Sequence, residues 1–177
     1  HENLGIDSAY RCFAALLGLH ADFNVASDWF ADSIPASTRV IIYPSAICPG
    51  DESYTALLRW VRNGGTLLMT GAPIYDAARK PGQSARLREL AGVEWVSTRY
   101  TPDVRGAQAM ATLRTEIPGL AGQQAAPMVE VRPAGAKVLA TDAAGKPVLT
   151  KHTLGQGTVY YFADPIELAE SDEGTAM

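Results

Sequence analysis

Cys48, in the stretch Ala46-Ile47-Cys48-Pro49-Gly50, is the sharpest candidate nucleophile in the sequence. It follows an apolar run that reads as a strand and precedes one that reads as a helix. A thiol near a helix N-terminus can be shifted toward the reactive thiolate. Three features oppose that chemistry. The apolar run stops at Tyr43-Pro44, about four residues upstream, which leaves a turn too long for a strained strand-to-helix elbow. Asp51 and Glu52 stand at the start of the next helix and disfavour a thiolate there. No histidine lies near Cys48 in sequence to serve as a base. Because cysteine is among the most frequently buried residue types, a structural thiol is the stronger reading.

The other groups capable of chemistry are scattered. His1 is terminal, His20 follows a helix end and His152 sits in a strand beside Lys151. An isolated strand histidine is more often a surface or satisfied residue than a base. No H-x-x-x-H or paired Cys/His spacing occurs, so no metal site is expected. Asp76, Asp103, Asp142, Asp164 and Glu167 show no pairing of the kind that flanks a glycosidic bond. Gly64-Gly65 and the "GQG" of Gly155 to Gly157 lack the spacing that seats a pyrophosphate, so no cofactor is expected either. Trp29, Trp60 and Trp95 could each stack on a sugar, but they form no platform, and Trp60 falls inside a helix where packing is its expected role.

The elements that must hold these groups follow from periodicity. Asp7 or Ser8 can cap a helix with Tyr10, Phe13, Ala14 and Leu17 at helical spacing and Gly18 at its end. "ADFNVA" (21–26) is a short strand candidate, and "RVIIY" (39–43) reads as a strand buried on both faces. Tyr54, Leu57, Leu58 and Val61 mark a helix over 51–63 that starts with two acids and stops at Gly64. "TLLMT" (66–70) is the next buried strand. This strand–helix–strand order predicts a parallel α/β sheet. A helix over "SARLRELA" closing on Gly92 and a strand through 93–96 follow. Residues 101–136 show weak periodicity and read as loops and short irregular strands. Strands at 138–141, 147–152 and "TVYYFA" (158–163) then form an antiparallel meander around the turns "DAAGK" and "LGQG".

The chain of 177 residues suits one domain. We divide it into an α/β core (1–98), a β-rich extension completing the fold (99–167) and a frayed tail (168–177). Hydrophobic content of 47%, charged content of 19% and a net charge of −4 are ordinary for a globular protein and predict neither a nucleic acid nor a membrane partner. No apolar run approaches the roughly 20 residues of a membrane span. His1 replaces an initiating Met and no signal peptide is visible, so the chain reads as a piece of a longer one. Cys12 and Cys48 form no framework, which leaves the compartment open.

Four segments in order carry a family resemblance: Val40 to Pro44, "VRNGGTL" (61–67), "LRELAGV" (87–93) and "GQGTVYY" (155–161). Together they resemble the middle, trimerisation domain of family 42 glycoside hydrolases (β-galactosidases), within the class I glutamine amidotransferase-like superfamily. The resemblance implies a three-layer, flavodoxin-like sheet with a first strand ahead of His1. It also implies a homo-oligomer, and a catalytic barrel elsewhere in the parent chain as partner. In active amidotransferases the strand matching 66–70 leads into a cysteine elbow; here Gly71 or Ala72 stands at that place. Their His-Pro-Glu run matches "FADPIE", which keeps Pro165 and Glu167 but has Ala163 or Asp164 for the histidine. The resemblance therefore implies no catalytic residue in this chain. Two other readings compete: a DJ-1-like or hydrolase domain using Cys48, which "AICPG" resembles, and a carbohydrate-binding module.

Overall fold

In the computed structural model, residues 4–27, 34–76, 78, 80, 82–98, 111–125, 127–163, 165 and 167 are described. Helix α1 (Leu4–Gly18) leads to strand β1 (Val40–Tyr43), helix α2 (Asp51–Arg62) and strand β2 (Thr66–Thr70). Helix α3 (Ser84–Ala91) and strand β3 (Val93–Thr98) follow. The rest is β: β4 (Ala111–Thr112), β5 (Arg114–Thr115), β6 (Gln124–Ala125), β7 (Val129–Pro133), β8 (Lys137–Thr141), β9 (Pro147–Leu154) and β10 (Gly157–Phe162).

The main sheet runs β1-β2-β10-β9-β8-β5. Val40 pairs with Thr66, and Thr66 with Thr158, so β1, β2 and β10 lie parallel. From β10 onward the ladder is antiparallel, through β9 and β8 to β5. The α/β class and the appended meander thus hold, with β10 belonging to both halves. β7 pairs antiparallel with β3, with a bulge between Trp95 and Ser97, so the stretch read as loops and short irregular strands contains a five-residue strand. The expected tail, Trp29, Asp103 and Asp164 lie outside the described residues.

Burial explains these elements. In α2 the side chains of Tyr54, Leu57, Leu58 and Val61 are buried at the spacing read from sequence. They meet Leu87 and Leu90 of α3, Leu67 and Met69 of β2, and Val159 and Tyr161 of β10 in one core. Both helices therefore cover the sheet face that carries the odd-numbered residues of β2. Arg86 of α3 pairs with Asp51 and lies 5.0 Å over the Tyr54 ring, while Glu89 accepts from Tyr54 (2.9 Å) and Arg62 (2.8 Å). These polar contacts fix α2 against α3 along the solvent rim.

Backbone packs directly on backbone where α2 ends. Gln156 donates its N–H to the Arg62 carbonyl (3.0 Å), and Thr158 donates to that of Gly65 (3.1 Å). A Cβ at Gly157 would stand 2.0 Å from the Val61 carbonyl oxygen and 2.4 Å from that of Gly65. Only glycine permits the approach.

Three expectations fail at the N-terminal side. β1, read as buried on both faces, is an edge strand with Val40 and Ile42 exposed on one of them. The 21–26 segment forms no strand: β1 is the outermost strand of the sheet, and nothing among the described residues pairs with it on its free side. Instead Phe23 packs edge-on against Phe13, ring centroids 5.4 Å apart, and Val25 is exposed. Ser8 does not cap α1 either. The helix starts at Leu4, and Ser8 lies within it, fully buried.

Gly157→Ala is expected to lower unfolding free energy by about 3 kcal/mol or more, because backbone must move to admit the methyl group. Gly145→Ala, at φ +80 in open space, should cost only about 1–2 kcal/mol. Urea denaturation of both variants checks the contrast; equal losses would contradict the close approach.

Candidate functional site at the strand ends

In open parallel sheets, ligands and reacting groups gather at the C-terminal ends of the strands. In this chain β1, β2 and β10 deliver Ser45, Thr70, Gly71 and the segment leading to Glu167 to that end. Gly71 directly follows β2 with φ +79, a left-handed conformation suited to an elbow. A Cβ there would meet the Ser45 and Ala46 backbone at 3.0–3.2 Å. Hydrogen bonds draw that backbone in: Ser45 N–H to Thr70 Oγ1 (2.8 Å) and Ala46 N–H to the Thr70 carbonyl (2.9 Å). The turn of an elbow is present, and the space for its side chain is filled by main chain.

Beside it lies a carboxylate clasp. Glu167 Oε1 accepts hydrogen bonds from Thr70 Oγ1 (2.7 Å) and from the Ser8 hydroxyl of α1. The Ser45 hydroxyl stands 2.9 Å from Ser8 Oγ and 3.3 Å from Glu167 Oε1, sharing its one proton between them. Ser45 holds φ +47, which a non-glycine residue rarely adopts. Cys12, one turn beyond Ser8, has its thiol pushed up to about 11, first by burial and then by the Glu167 charge. Activating a hydroxyl or thiol needs a base within hydrogen-bond reach, and this cluster supplies acceptor charge without an imidazole. Its chemistry is that of a fastener between α1 and the sheet.

The remaining residues singled out from sequence lie elsewhere. Cys48 is half-buried in the loop between β1 and α2. Its neighbour Pro49 is fully buried and accepts from Arg86 through its carbonyl (2.9 Å). His152 sits on β9 opposite Val159, its ring against Gly92. Burial lowers its pKa, opposed by a hydrogen bond to the Gly135 backbone. His20 is exposed just past α1. Asp76 and Asp142 each accept two backbone N–H groups at 2.8–2.9 Å and so build turns. Trp60 is half-buried over Gly65. Trp95 is 37% exposed, with its indole N–H bonded to Thr98 (2.7 Å), at an open depression shared with Ser84, Arg88 and Glu94. Among the described residues no cluster of His, Cys, Asp and Glu could hold a metal ion, and no helix is long and apolar enough to cross a membrane.

Sequence reasoning reached Glu167 but missed the three hydroxyls that bind it. The signal available was a Ser or Thr at each strand end, in "YPS" and "LMTG".

A half-parallel α/β sheet with an empty elbow defines the class. The profile of the β-galactosidase trimerisation domain matches residues 10–173, and the chain belongs to that family. No curated protein matches it. Among solved structures it is similar to the β-galactosidase from Bacillus circulans sp. alkalophilus (22% identity, TM-score 0.75, 91% of this chain and 25% of that one). It is similar also to the exo-β-1,4-mannosidase Op5Man5 from Opitutaceae bacterium strain TAV5 (21%, 0.70, 92% and 27%). The β-galactosidase from Rahnella sp. R3 is a third (20%, 0.74, 89% and 24%). The chain spans about a quarter of the length of each.

The Cys12 thiol should alkylate slowly at pH 8 and accelerate only as pH approaches about 11. Glu167→Gln removes the charge that opposes the thiolate, so the Cys12 pKa should fall and labelling at pH 8 quicken. Mass-spectrometric rates at Cys12 read this out; no change in Glu167→Gln would place α1 away from the clasp.

Proposed function

We propose that residues 1–177 act as one non-catalytic unit of a larger glycoside hydrolase of the β-galactosidase type, joining subunits and helping to wall the active site of a neighbouring catalytic barrel. The family match over residues 10–173 carries the reading. In support, Gly71 stands where an amidotransferase nucleophile would project, with backbone of Ser45 and Ala46 in its place. The late carboxylate, Glu167, is engaged by hydroxyls rather than by an imidazole. Similar structures include both galactosidases and a mannosidase, so the choice of sugar is assigned to residues outside this domain.

The purified chain is expected to release no product from 4-nitrophenyl β-galactoside, 4-nitrophenyl β-mannoside or glutamine, and to show no saturable heat on titration with galactosides. Turnover abolished by Cys48→Ser would replace this reading with a thiol hydrolase. Saturable binding would replace it with a carbohydrate-binding module, and Trp95→Ala would be the variant to locate it.

A further inference from the structure

One imidazole stands where three elements meet. The ring of His152, on β9, lies against Gly92, the left-handed residue that ends α3 at φ +64. A Cβ on Gly92 would come within 2.5 Å of its Nδ1. The Gly92 carbonyl accepts two N–H groups from the turn between β7 and β8, those of Ala134 (2.7 Å) and Ala136 (3.0 Å). His152 bonds to the backbone of Gly135, the residue between them. That bond favours the charged ring, so the ring donates and the Gly135 carbonyl accepts. Among the described residues β3 and β7 form a sheet of their own, with no ladder to the main one. α3, the 134–136 turn and β9 are joined at this point, and His152 touches all three.

We propose that His152 is a pH-operated latch: neutral, it holds the β3–β7 ribbon and α3 to the main sheet, and protonation in mild acid releases them locally. The neutral ring needs one acceptor, which Gly135 supplies. A second ring proton needs another, and the acceptors of the junction are engaged. The carbonyl end of a helix suits a cation, but the Arg88 carbonyl takes the Gly92 N–H (3.0 Å) and the Gly92 carbonyl takes two. The carboxylates on these elements are held as well: Glu89 of α3 by Arg62, Glu94 of β3 by Arg88, and Glu130 of β7 by Lys146. Arg86 of α3 is taken up by Asp51. Arg132 of β7 and Lys137 of β8 add like charge, while Lys151 points to the other face of the sheet, over the Tyr160 ring. β10 sets Val159 opposite the histidine, with the buried Tyr161 beyond it.

The direction with pH follows. Burial holds the ring below its ordinary value of 6.5, and local opening returns it there. The latch is therefore complete above that pH and weakens as pH falls through the lowered value of the closed form. The ribbon carries Trp95 and the depression beside it, so acid loosens that surface and leaves the parallel strands in place.

Amide hydrogen exchange of the full chain, followed by NMR and corrected for the intrinsic effect of pH, tests this. Opening at the Ala134 and Ala136 amides should rise at least about threefold from about pH 7.5 to about pH 5, while the Leu67 amide of β2 holds steady. The rise should track the titration of the His152 ring, read from its carbon-bound protons. His152→Gln keeps a side-chain N–H for Gly135 and cannot charge, so it should remove the pH dependence. Opening at Ala134 and Ala136 that ignores pH in the unchanged chain would overturn the proposal. A pH dependence that survives in His152→Gln would overturn it too, by assigning the effect to another group.

Discussion

The contact between the last turn of α2 and the start of β10 is the constraint on which the architecture turns. Val61 and Gly65 present carbonyl oxygens at distances that leave no room for a side chain at Gly157, and Arg62 presents one that does the same at Gly155. Two backbone hydrogen bonds follow from that approach, and they set β10 beside β2 in register, Thr158 opposite Thr66. With β10 fixed there, its other edge can pair antiparallel with β9. The parallel and antiparallel halves are joined through one strand, and that strand is placed by glycine. Val61 and Val159, both fully buried, then close the core beneath the junction.

At the opposite end of the same strands the backbone turns sharply at Gly71, with no nucleophilic side chain on that residue. Gly71 keeps a left-handed backbone, and Ser45 keeps a rare one, but hydrogen bonds from Ser45 and Ala46 to Thr70 draw main chain into the space where a nucleophile would reach out. Glu167 faces hydroxyls and fastens α1. A carboxylate so engaged holds a helix at a defined rotation, and the rotation decides which residues of α1 remain outside.

Much of this was legible in the sequence, for particular reasons. α2 and β2 are bounded by strong punctuation, acids at one end and Gly64-Gly65 at the other, and the observed limits fall within a residue of those expected. The meander was legible because Asp142 and the glycines 145 and 155 mark its turns. The coupling of "NGG" to "GQG" was not legible, because each is only a turn signal until the fold brings their backbones together. β7 was missed since only Val129 and Val131 turn inward, too few to show a period. The 21–26 segment has the composition of a strand but pairs with nothing among the described residues, and pairing is what makes a strand. For α1 the spacing of Tyr10, Phe13 and Leu17 gives the helix but not its rotation: these side chains are exposed, and the burial of Ser8 marks the inner side.

The proposed role is one of association and shape instead of bond-making. Native mass spectrometry of the unmodified chain tests that most directly. The account predicts a complex of three times the mass of one chain, persisting on dilution into the low micromolar range. A mass equal to one chain at every concentration would contradict it.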